Sequence, residues 1–190
     1  MKKLINFLYF FNFICFLEKF SIICYNSRMD DIDKKILSII QKKATIPLSE
    51  LSKQVGVSST PCWNRIKKME EEGVIVSRIT VLDNVKINLP ITVFLSVSIS
   101  SHSEEWLDKF KEILKNNSEI LEAYRLTGSN VDYLLKIISP TIEDYDKFQQ
   151  ELINQISFTN MSSSISLKEL KKSSYLPLDY INDQSIKKNH

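Results

Sequence analysis

Apolar residues recur with two different spacings along the chain, and the change between them separates a helical half from a half that contains strands. Between residues 30 and 73 they return every three or four positions, as in Leu48, Leu51 and Val55, which is the spacing of one helix face. From residue 91 they alternate with polar residues, which is the spacing of a half-buried strand. The pattern therefore predicts an N-terminal helical domain followed by a mixed domain.

Three helices are predicted in the first half. Residues 30–41 carry isoleucines at helical spacing and acidic residues at their start, where a negative charge suits the helix dipole. The Leu48 helix is expected to end at Gly56, because glycine adopts the left-handed conformation at low cost. Ser58 suits the N-cap of a third helix, and Pro61 falls in its first turn, where a missing N–H costs nothing. Two short helices joined by such a turn have the layout of a helix-turn-helix.

The third helix is predicted to have one apolar and one polar face. Cys62, Ile66 and Met69 share the apolar face, and the window from Lys53 to Met69 contains no acidic residue. Hydroxyl, amide and ammonium groups are the groups that contact phosphates and base edges in DNA. The competing interpretation is a solvated face in an ordinary three-helix bundle. The predicted DNA-binding residues of this motif are Lys53, Ser58, Ser59, Thr60, Trp63, Asn64, Lys67 and Lys68.

After Gly73, a run of β-branched residues predicts a wing strand from Val74 to Leu82. Arg78 lies at its centre and is predicted either to contact a DNA phosphate or to be an ordinary exposed strand residue. The DNA-binding domain is accordingly expected to span residues 29–82. A linker over residues 83–90 separates it from the second half.

The second half is predicted to form a domain over residues 91–176, followed by a flexible tail over residues 177–190. Its order of strand, helix, strand, strand, helix, strand is the ferredoxin-like arrangement, whose helices cover one sheet face and leave the other for a partner. Phe94 lies on the otherwise polar side of its strand, with Tyr124 or Arg125 nearby, which favours pairing between two sheets. The predicted fold class is α+β, with an N-terminal winged helix-turn-helix followed by a βαββαβ ferredoxin-like sandwich.

Several motifs resemble the Lrp/AsnC family of bacterial and archaeal transcription regulators. They are residues 31–37 (DIDKKIL), residues 51–58 (LSKQVGVS) and the Thr60-Pro-Cys triplet that enters the third helix. The resemblance covers about Asp30 to about Tyr175. Ser59 and Asn64 depart from residues that are frequent in the family, which bears on the preferred DNA sequence and not on the fold. The resemblance implies a cytoplasmic, sequence-specific transcription regulator that binds double-stranded DNA as a homodimer, tetramer or octamer.

The segment from Leu126 to Leu135 resembles the glycine and Asp-Tyr signature of the ligand-sensing domain in the same family. Three residues separate Gly128 from Asp132, where the family usually has two. A carboxylate suits the ammonium group of an amino acid, and backbone N–H groups in a turn suit its carboxylate. The alternative is that Gly128 only makes a hairpin turn and Asp132 caps it. The predicted effector-binding residues are Gly128, Ser129, Asn130, Asp132 and Tyr133.

The first 28 residues are apolar, aromatic and basic at their start. Their apolar run, residues 4–17, contains Asn6 and Asn12 and is shorter than the roughly 20 residues of a membrane span, and no small-x-small cleavage site follows. The preferred interpretation is a start codon assigned too early, with Met29 as the true first residue. The alternatives are a membrane-tethered regulator and a real cytoplasmic extension.

Composition argues against an enzyme, a metal centre and a bound cofactor. The chain has three glycines in 190 residues, too few for a phosphate-cradling loop. Its two histidines, His102 and His190, belong to no recognisable catalytic motif, and its three cysteines lack metal-ligand spacing. Cys62 is instead expected to pack as a small buried hydrophobe. Beside a sequence-specific regulator, a weakly specific nucleoid-associated protein remains the alternative.

Overall fold

The computed structural model describes residues 29–100, 102–128 and 131–181. The predictions for residues 1–28 and for the end of the tail, residues 182–190, lie outside the described residues. The chain divides into two compact units. Of the described residues, the first unit contains Met29–Ile79 and Ser173–Ile181, and the second contains those between Thr80 and Lys172.

The described part of the first unit contains three helices: α1 (Asp31–Ile40), α2 (Leu48–Val55) and α3 (Ser59–Glu71). A capping box starts α1, in which the Asp30 and Asp33 side chains accept hydrogen bonds from each other's backbone N–H groups. Gly56 ends α2 in the left-handed conformation, with φ of 85°. Ser58 occupies the N-cap position of α3, but its hydroxyl makes no capping hydrogen bond.

The core of the first unit forms where the three helices meet. The inward positions predicted for α3 are confirmed, since Cys62, Ile66 and Met69 are all buried. Burial also raises the pKa of the Cys62 thiol, as expected for a cysteine that packs as a hydrophobe. The buried cluster consists of Ile36, Leu37, Leu51, Val55, Cys62, Ile66 and Met69.

The C-terminal residues from Ser173 belong to this first unit. Leu178 and Ile181 pack against its core. The Gln41 side-chain amide also makes two hydrogen bonds to the backbone of Leu176. Its Oε1 accepts from the Leu176 N–H at 3.0 Å, and its Nε2 donates to the Leu176 carbonyl at 3.3 Å. The polar composition of residues 177–190 predicts a flexible tail, whereas residues 177–181 are packed in the structure. Local sequence patterns do not indicate this contact, because Gln41 and Leu176 lie 135 residues apart.

The strand predicted between Val74 and Leu82 is absent, since residues 74–83 form no strand in the structure. Val76 and Ile79 are exposed, although β-branched residues favour strands. A strand also needs a hydrogen-bonded neighbour, and these residues pair with no strand in the unit. The segment is instead held to the end of α3, where the Ile75 N–H donates to the Met69 carbonyl at 3.0 Å.

The second unit has the predicted βαββαβ order. The elements are β1 (Ile91–Ser98), α4 (Glu104–Asn116), β2 (Ile120–Arg125), β3 (Tyr133–Ser139), α5 (Ile142–Gln155) and β4 (Asn160–Ile165). The sheet is antiparallel, with strand order β2-β3-β1-β4.

The two faces of this sheet have different surroundings. On one face, Val93, Leu95 and Leu135 are fully buried and share a core with Phe110 of α4 and Leu152 of α5. On the other face, Phe94 lies beside Lys136 of β3 and Ser164 of β4, and its ring is exposed, as is that of Tyr124. Neither helix of the second unit covers this second face in the described residues, as the alternation of β1 predicts. Within the described ranges, no helix has both the length and the apolar character needed to cross a bilayer.

Candidate DNA-binding surface and effector loop

The outward face of α3 gathers the polar residues that the sequence singled out. All the predicted DNA-binding residues, including Arg78 beyond the helix, are solvent-exposed. The exposed fraction of Trp63 is 48%, which is high for so large an aromatic side chain. The first turn of α3 contains no acidic residue, so its unpaired N–H groups and the positive end of the helix dipole face solvent without a competing carboxylate.

Two serines at the start of α3 differ in what their hydroxyls contact. The Ser58 hydroxyl makes no capping bond to the helix. The Ser59 hydroxyl lies 3.3 Å from that of Ser52, which itself donates to the Ser49 carbonyl. Ser59 therefore also joins α3 to α2, whereas Ser58 and Thr60 are exposed at the helix entrance.

The cations near the end of α3 have different neighbours. The Lys67 ammonium lies 5.5 Å from the centre of the Trp63 ring, a cation–π distance that holds both side chains on the exposed face. Lys68 Nζ lies 3.7 Å from Glu72 Oε1 in a weak i,i+4 pair, in which the lysine is exposed and the glutamate is half-buried. Arg78 lies 2.7 Å from Glu70. Among the described residues, no carboxylate lies within ion-pair distance of Lys53 or Lys67, so these two are the most available to a phosphate of the predicted DNA-binding cations.

Arg65 is the basic residue of α3 that does not lie on this exposed face. Its Nη1 lies 2.8 Å from Asp30 Oδ2 and 2.8 Å from Asp33 Oδ1, both at the start of α1. The hydrogen bond to Asp33, with a further one to Asp30, raises the pKa of the Arg65 guanidinium. The sequence analysis did not predict this pairing, although acidic residues at a helix start and an arginine beside a buried Ile66 were both visible.

The predicted effector loop lies before β3, and Asp132 is its best-anchored residue. Its Oδ2 accepts from the Ile99 N–H at 2.8 Å, and its Oδ1 lies 3.4 Å from His102 Nε2. Its backbone N–H donates to the Val97 carbonyl at 3.0 Å. The residue therefore ties the loop to the end of β1. His102, which the sequence analysis linked to no motif, is a neighbour of the loop.

The other predicted effector residues fall into three groups. Gly128 has a φ of 82°, the left-handed conformation that a tight turn requires. Tyr133 is only 6% exposed and its ring lies 5.0 Å from that of Phe110, so it is a core residue of the second unit, and burial raises the pKa of its hydroxyl. Ser129 and Asn130 lie outside the described residues.

A pocket of about 330 Å³ lies at the other end of β3. Its lining includes Ser139, where β3 ends, together with Asp144, Tyr145 and Phe148 of α5. The predicted effector loop precedes Tyr133, where β3 begins. None of the predicted site residues lines this pocket, so it is distinct from the effector loop.

Comparison with known families divides the chain at nearly the same place as the structure does. Residues 29–76 match a family described as winged helix-turn-helix DNA-binding. Residues 92–176 match a family described as the Lrp/AsnC ligand binding domain.

Two known proteins are similar to this chain along almost their whole length. The glutamate uptake regulatory protein of Zymomonas mobilis is 42% identical over 161 residues, which cover 85% of this chain and 98% of that protein. The DNA-binding transcriptional activator DecR of Escherichia coli is 31% identical over 152 residues, covering 80% of this chain and 99% of the activator.

Two crystal structures extend this similarity to three dimensions. An AsnC family transcriptional regulator from Agrobacterium tumefaciens superimposes with a TM-score of 0.77 at 46% identity, over 80% of this chain and 99% of that chain. A transcriptional regulator from Neisseria meningitidis, in complex with L-Met, gives a TM-score of 0.75 at 29% identity, over 80% of this chain and 98% of that chain.

Proposed function

The chain belongs to the Lrp/AsnC family of DNA-binding transcription regulators, and from this premise we propose which of its residues contact DNA, how two chains assemble and what adjusts their binding. Membership confirms the predicted family, the predicted fold class and the prediction of a regulator that is not an enzyme. The observation that carries the proposal is the exposed face of α3, whose entrance contains no acidic residue.

The proposed DNA contacts divide by chemistry. Lys53, Lys67 and Lys68 contact phosphates and position the protein, because ammonium groups attract phosphate without reading sequence. Ser58 adds a hydroxyl to the phosphate contacts at the helix entrance, and Arg78 adds a guanidinium once it leaves Glu70. The proposed base-reading residues, whose side chains face outward around the first turns of α3, are Ser59, Thr60, Trp63 and Asn64.

A homodimer would form through the uncovered face of the sheet. Phe94 and Tyr124 are exposed aromatic side chains on that face, and burying them against a second copy is favourable. A symmetric dimer would present two copies of α3 to successive major-groove faces, about one helical turn or a multiple of it apart. Tetramers and octamers would repeat the same closed symmetry, and a cytoplasmic location follows from the access to DNA that this role needs.

We further propose that the second unit binds an amino acid. Relatives support this class of effector, since one is named a regulator of glutamate uptake and another was crystallised with L-Met. The ammonium group would contact Asp132 Oδ1 in place of His102, and the turn at residues 128–130 would supply N–H groups for the carboxylate. An effector changes operator affinity only if it binds two states of the protein differently.

The first experiment measures binding of the chain to the DNA upstream of its own gene by fluorescence anisotropy at fixed salt. Random-sequence DNA serves as the competitor, and each amino acid is added in turn. Binding that survives the competitor supports a specific regulator, and an amino acid that shifts the curve identifies the effector. Binding no tighter than that to random DNA would favour the nucleoid-associated alternative.

Two substitutions then separate phosphate contacts from base contacts. Lys67→Ala is expected to weaken binding to every duplex and to lower the dependence of log affinity on log salt by about one unit. Asn64→Ala is expected to weaken binding to the selected sequence, by about 1–3 kcal/mol, and to leave random DNA unaffected. An unchanged salt dependence would remove Lys67 from the phosphate contacts, and equal losses on both duplexes would remove Asn64 from the base readers.

A further inference from the structure

Arg65 completes a hydrogen-bond network that uses all the carboxylate oxygens of Asp30 and Asp33. Asp30 Oδ1 accepts from the Ile32 and Asp33 N–H groups at 2.9 Å each, and Asp33 Oδ2 accepts from the Asp30 N–H at 3.1 Å. These bonds form the cap of α1. The two remaining oxygens, Asp30 Oδ2 and Asp33 Oδ1, both lie 2.8 Å from Arg65 Nη1. The nitrogen carries two hydrogens, so it can donate to both carboxylates at once.

The position of Arg65 on α3 keeps its guanidinium away from the proposed DNA contacts. Arg65 follows Cys62 by three residues and precedes Met69 by four, so it lies beside the buried face of the helix. Its side chain is 32% exposed. Thr60 and Asn64 are exposed and lie about 140° and about 100° around the helix axis from Arg65, at 3.6 residues per turn. The arginine thus faces α1, whereas Asn64, which precedes it, faces solvent.

We propose that Arg65 is a positioning residue for DNA binding, which fixes the orientation of α3 relative to α1 and does not itself contact DNA. Both carboxylates are held rigidly by the backbone N–H groups of the α1 cap, so their two free oxygens define one place for the guanidinium. Charge-assisted hydrogen bonds are short and directional, and they weaken steeply when their geometry changes. A rotation of α3 about its axis would break this geometry and would turn the Asn64 face away from the groove.

The inference predicts an effect whose sign opposes simple electrostatics. Replacing Asp30 and Asp33 with asparagine removes two negative charges from a DNA-binding unit, and this alone would strengthen binding to phosphates. If Arg65 acts by positioning, the same double substitution releases its guanidinium and weakens binding. The losses of DNA-binding free energy caused by removing Arg65 and by removing its two partners should also not be additive, because both changes break the same hydrogen-bond network.

The experiment compares four full-length chains, namely wild type, Arg65→Met, Asp30→Asn with Asp33→Asn, and the triple variant. Affinity for a random-sequence duplex and for a duplex selected by the wild type is measured across a salt series, at a temperature where circular dichroism shows each chain folded. We expect each altered chain to bind the selected duplex roughly 3- to 30-fold more weakly, with the salt dependence unchanged and the triple variant no weaker than Arg65→Met. Lys67→Met is the matched control, since it should lower the salt dependence by about one unit.

Three outcomes would overturn the inference. A lower salt dependence for Arg65→Met would make Arg65 a phosphate ligand. Tighter binding after the two asparagine substitutions would show that only their charge matters. Wild-type affinity for folded Arg65→Met would limit the residue to stabilising the fold. If Arg65→Met does not fold, Arg65→Lys replaces it, and a partial loss at unchanged salt dependence is expected because an ammonium cannot reproduce the guanidinium geometry. This inference rests on the proposed contacts of α3, whose own failure appears separately, in Lys67→Ala and Asn64→Ala.

Discussion

The two units of this regulator differ in how closely their candidate sites follow from local sequence. In the first unit, the candidate DNA contacts on α3 lie within one helix and its entrance, and all of them are exposed. In the second unit, the candidate effector residues depend on contacts between distant segments, because Asp132 binds the backbone of Ile99, 33 residues earlier. A helix face is determined by spacing alone, whereas a loop site is determined by the strands that it connects.

The cores of the units differ in a related way. The second unit forms its core from one continuous segment. In that core the Trp106 ring centre lies 4.8 Å from that of Phe110 and 5.6 Å from that of Tyr133. The first unit adds Leu178 and Ile181 to its three helices, and these residues come from the far end of the chain. The sheet domain is therefore expected to be self-sufficient, and the DNA-binding unit to depend on its C-terminal segment.

The largest expected effect is a cavity in the sheet core. Leu135→Ala removes a fully buried side chain at the centre of β3 and should lower the free energy of unfolding of the second unit by about 2–5 kcal/mol. Urea unfolding followed by Trp106 fluorescence in a Trp63→Phe background reports on this unit, because the chain has one tryptophan in each unit. Leu167→Ala, at a residue 98% exposed, is the control and should change stability by less than about 0.5 kcal/mol. Similar losses from both changes would contradict the assigned core.

The next effect tests whether the first unit needs its C-terminal segment. A chain ending at Lys172 should lose about 2–3 kcal/mol of unfolding free energy in α1, α2 and α3. The reason is that removing Leu178 and Ile181 exposes the core against which they pack. A chain ending at Ile181 is the matched control and should keep the contact. Amide hydrogen exchange of residues 31–71, measured by mass spectrometry, detects the difference. Equal protection in the two chains would show that the segment adds nothing to the unit.

The same two contrasts explain what the sequence predicted well and what it did not. The bounds of α1 to α3 and the inward positions Cys62, Ile66 and Met69 follow from helical spacing, capping and a glycine stop, all of which act within a few residues. The alternation in β1 likewise predicted which sheet face is buried. The prediction of a wing strand was wrong. β-branched residues favour a strand, but they do not provide the neighbouring strand that residues 74–82 would need.

The contacts that sequence reasoning missed join segments with no common pattern. Arg65 is more than thirty residues from Asp30 and Asp33, and an arginine on a basic helix suggests a DNA contact before it suggests a positioning contact. Similarly, the bond of Gln41 to the backbone of Leu176 uses a group that every residue has, so nothing in the identity of Leu176 indicates it. Asp132 was visible as a candidate, but only the fold shows that Ile99 and His102 already occupy its carboxylate.

A smaller loss of stability is expected when a turn glycine is replaced in either unit. Gly56 and Gly128 have φ of +85° and +82°, and a methyl group at either position would meet open space, so an alanine brings backbone strain and no clash. Gly56→Ala and Gly128→Ala should each cost about 1–2 kcal/mol, seen as faster amide exchange only in the unit that carries the change. Asparagine, which tolerates this conformation better, is the control and should recover most of the loss. Loss of protection in both units from either change would contradict their separation.

The smallest expected effect is a pH dependence that differs between the units. The Asp33 N–H, followed by Arg65, holds the pKa of Asp30 below its ordinary value, and the Tyr124 hydroxyl, followed by Lys136, does the same for Glu122 in the second unit. Because each folded-state pKa is lowered, the stabilisation is fully present above the unfolded values, about 3.9 for Asp and 4.3 for Glu, and is lost as the pH falls through the folded values. Both groups are largely exposed, so solvent screening limits each contribution to about 1 kcal/mol or less.

Asp30→Asn should therefore reduce the loss of unfolding free energy at acid pH in the first unit alone. Glu122→Gln should reduce the same loss in the second unit alone. Amide exchange of each unit, recorded from pH 6 to about pH 3 and corrected for the intrinsic exchange rate, measures both losses in one sample. A loss at acid pH in the first unit that is unchanged by Asp30→Asn would mean that the α1 cap stabilises the protonated carboxyl equally well. The Asp30 and Asp33 network would then set the geometry of Arg65 without contributing to acid stability, and the positioning of α3 would be independent of pH.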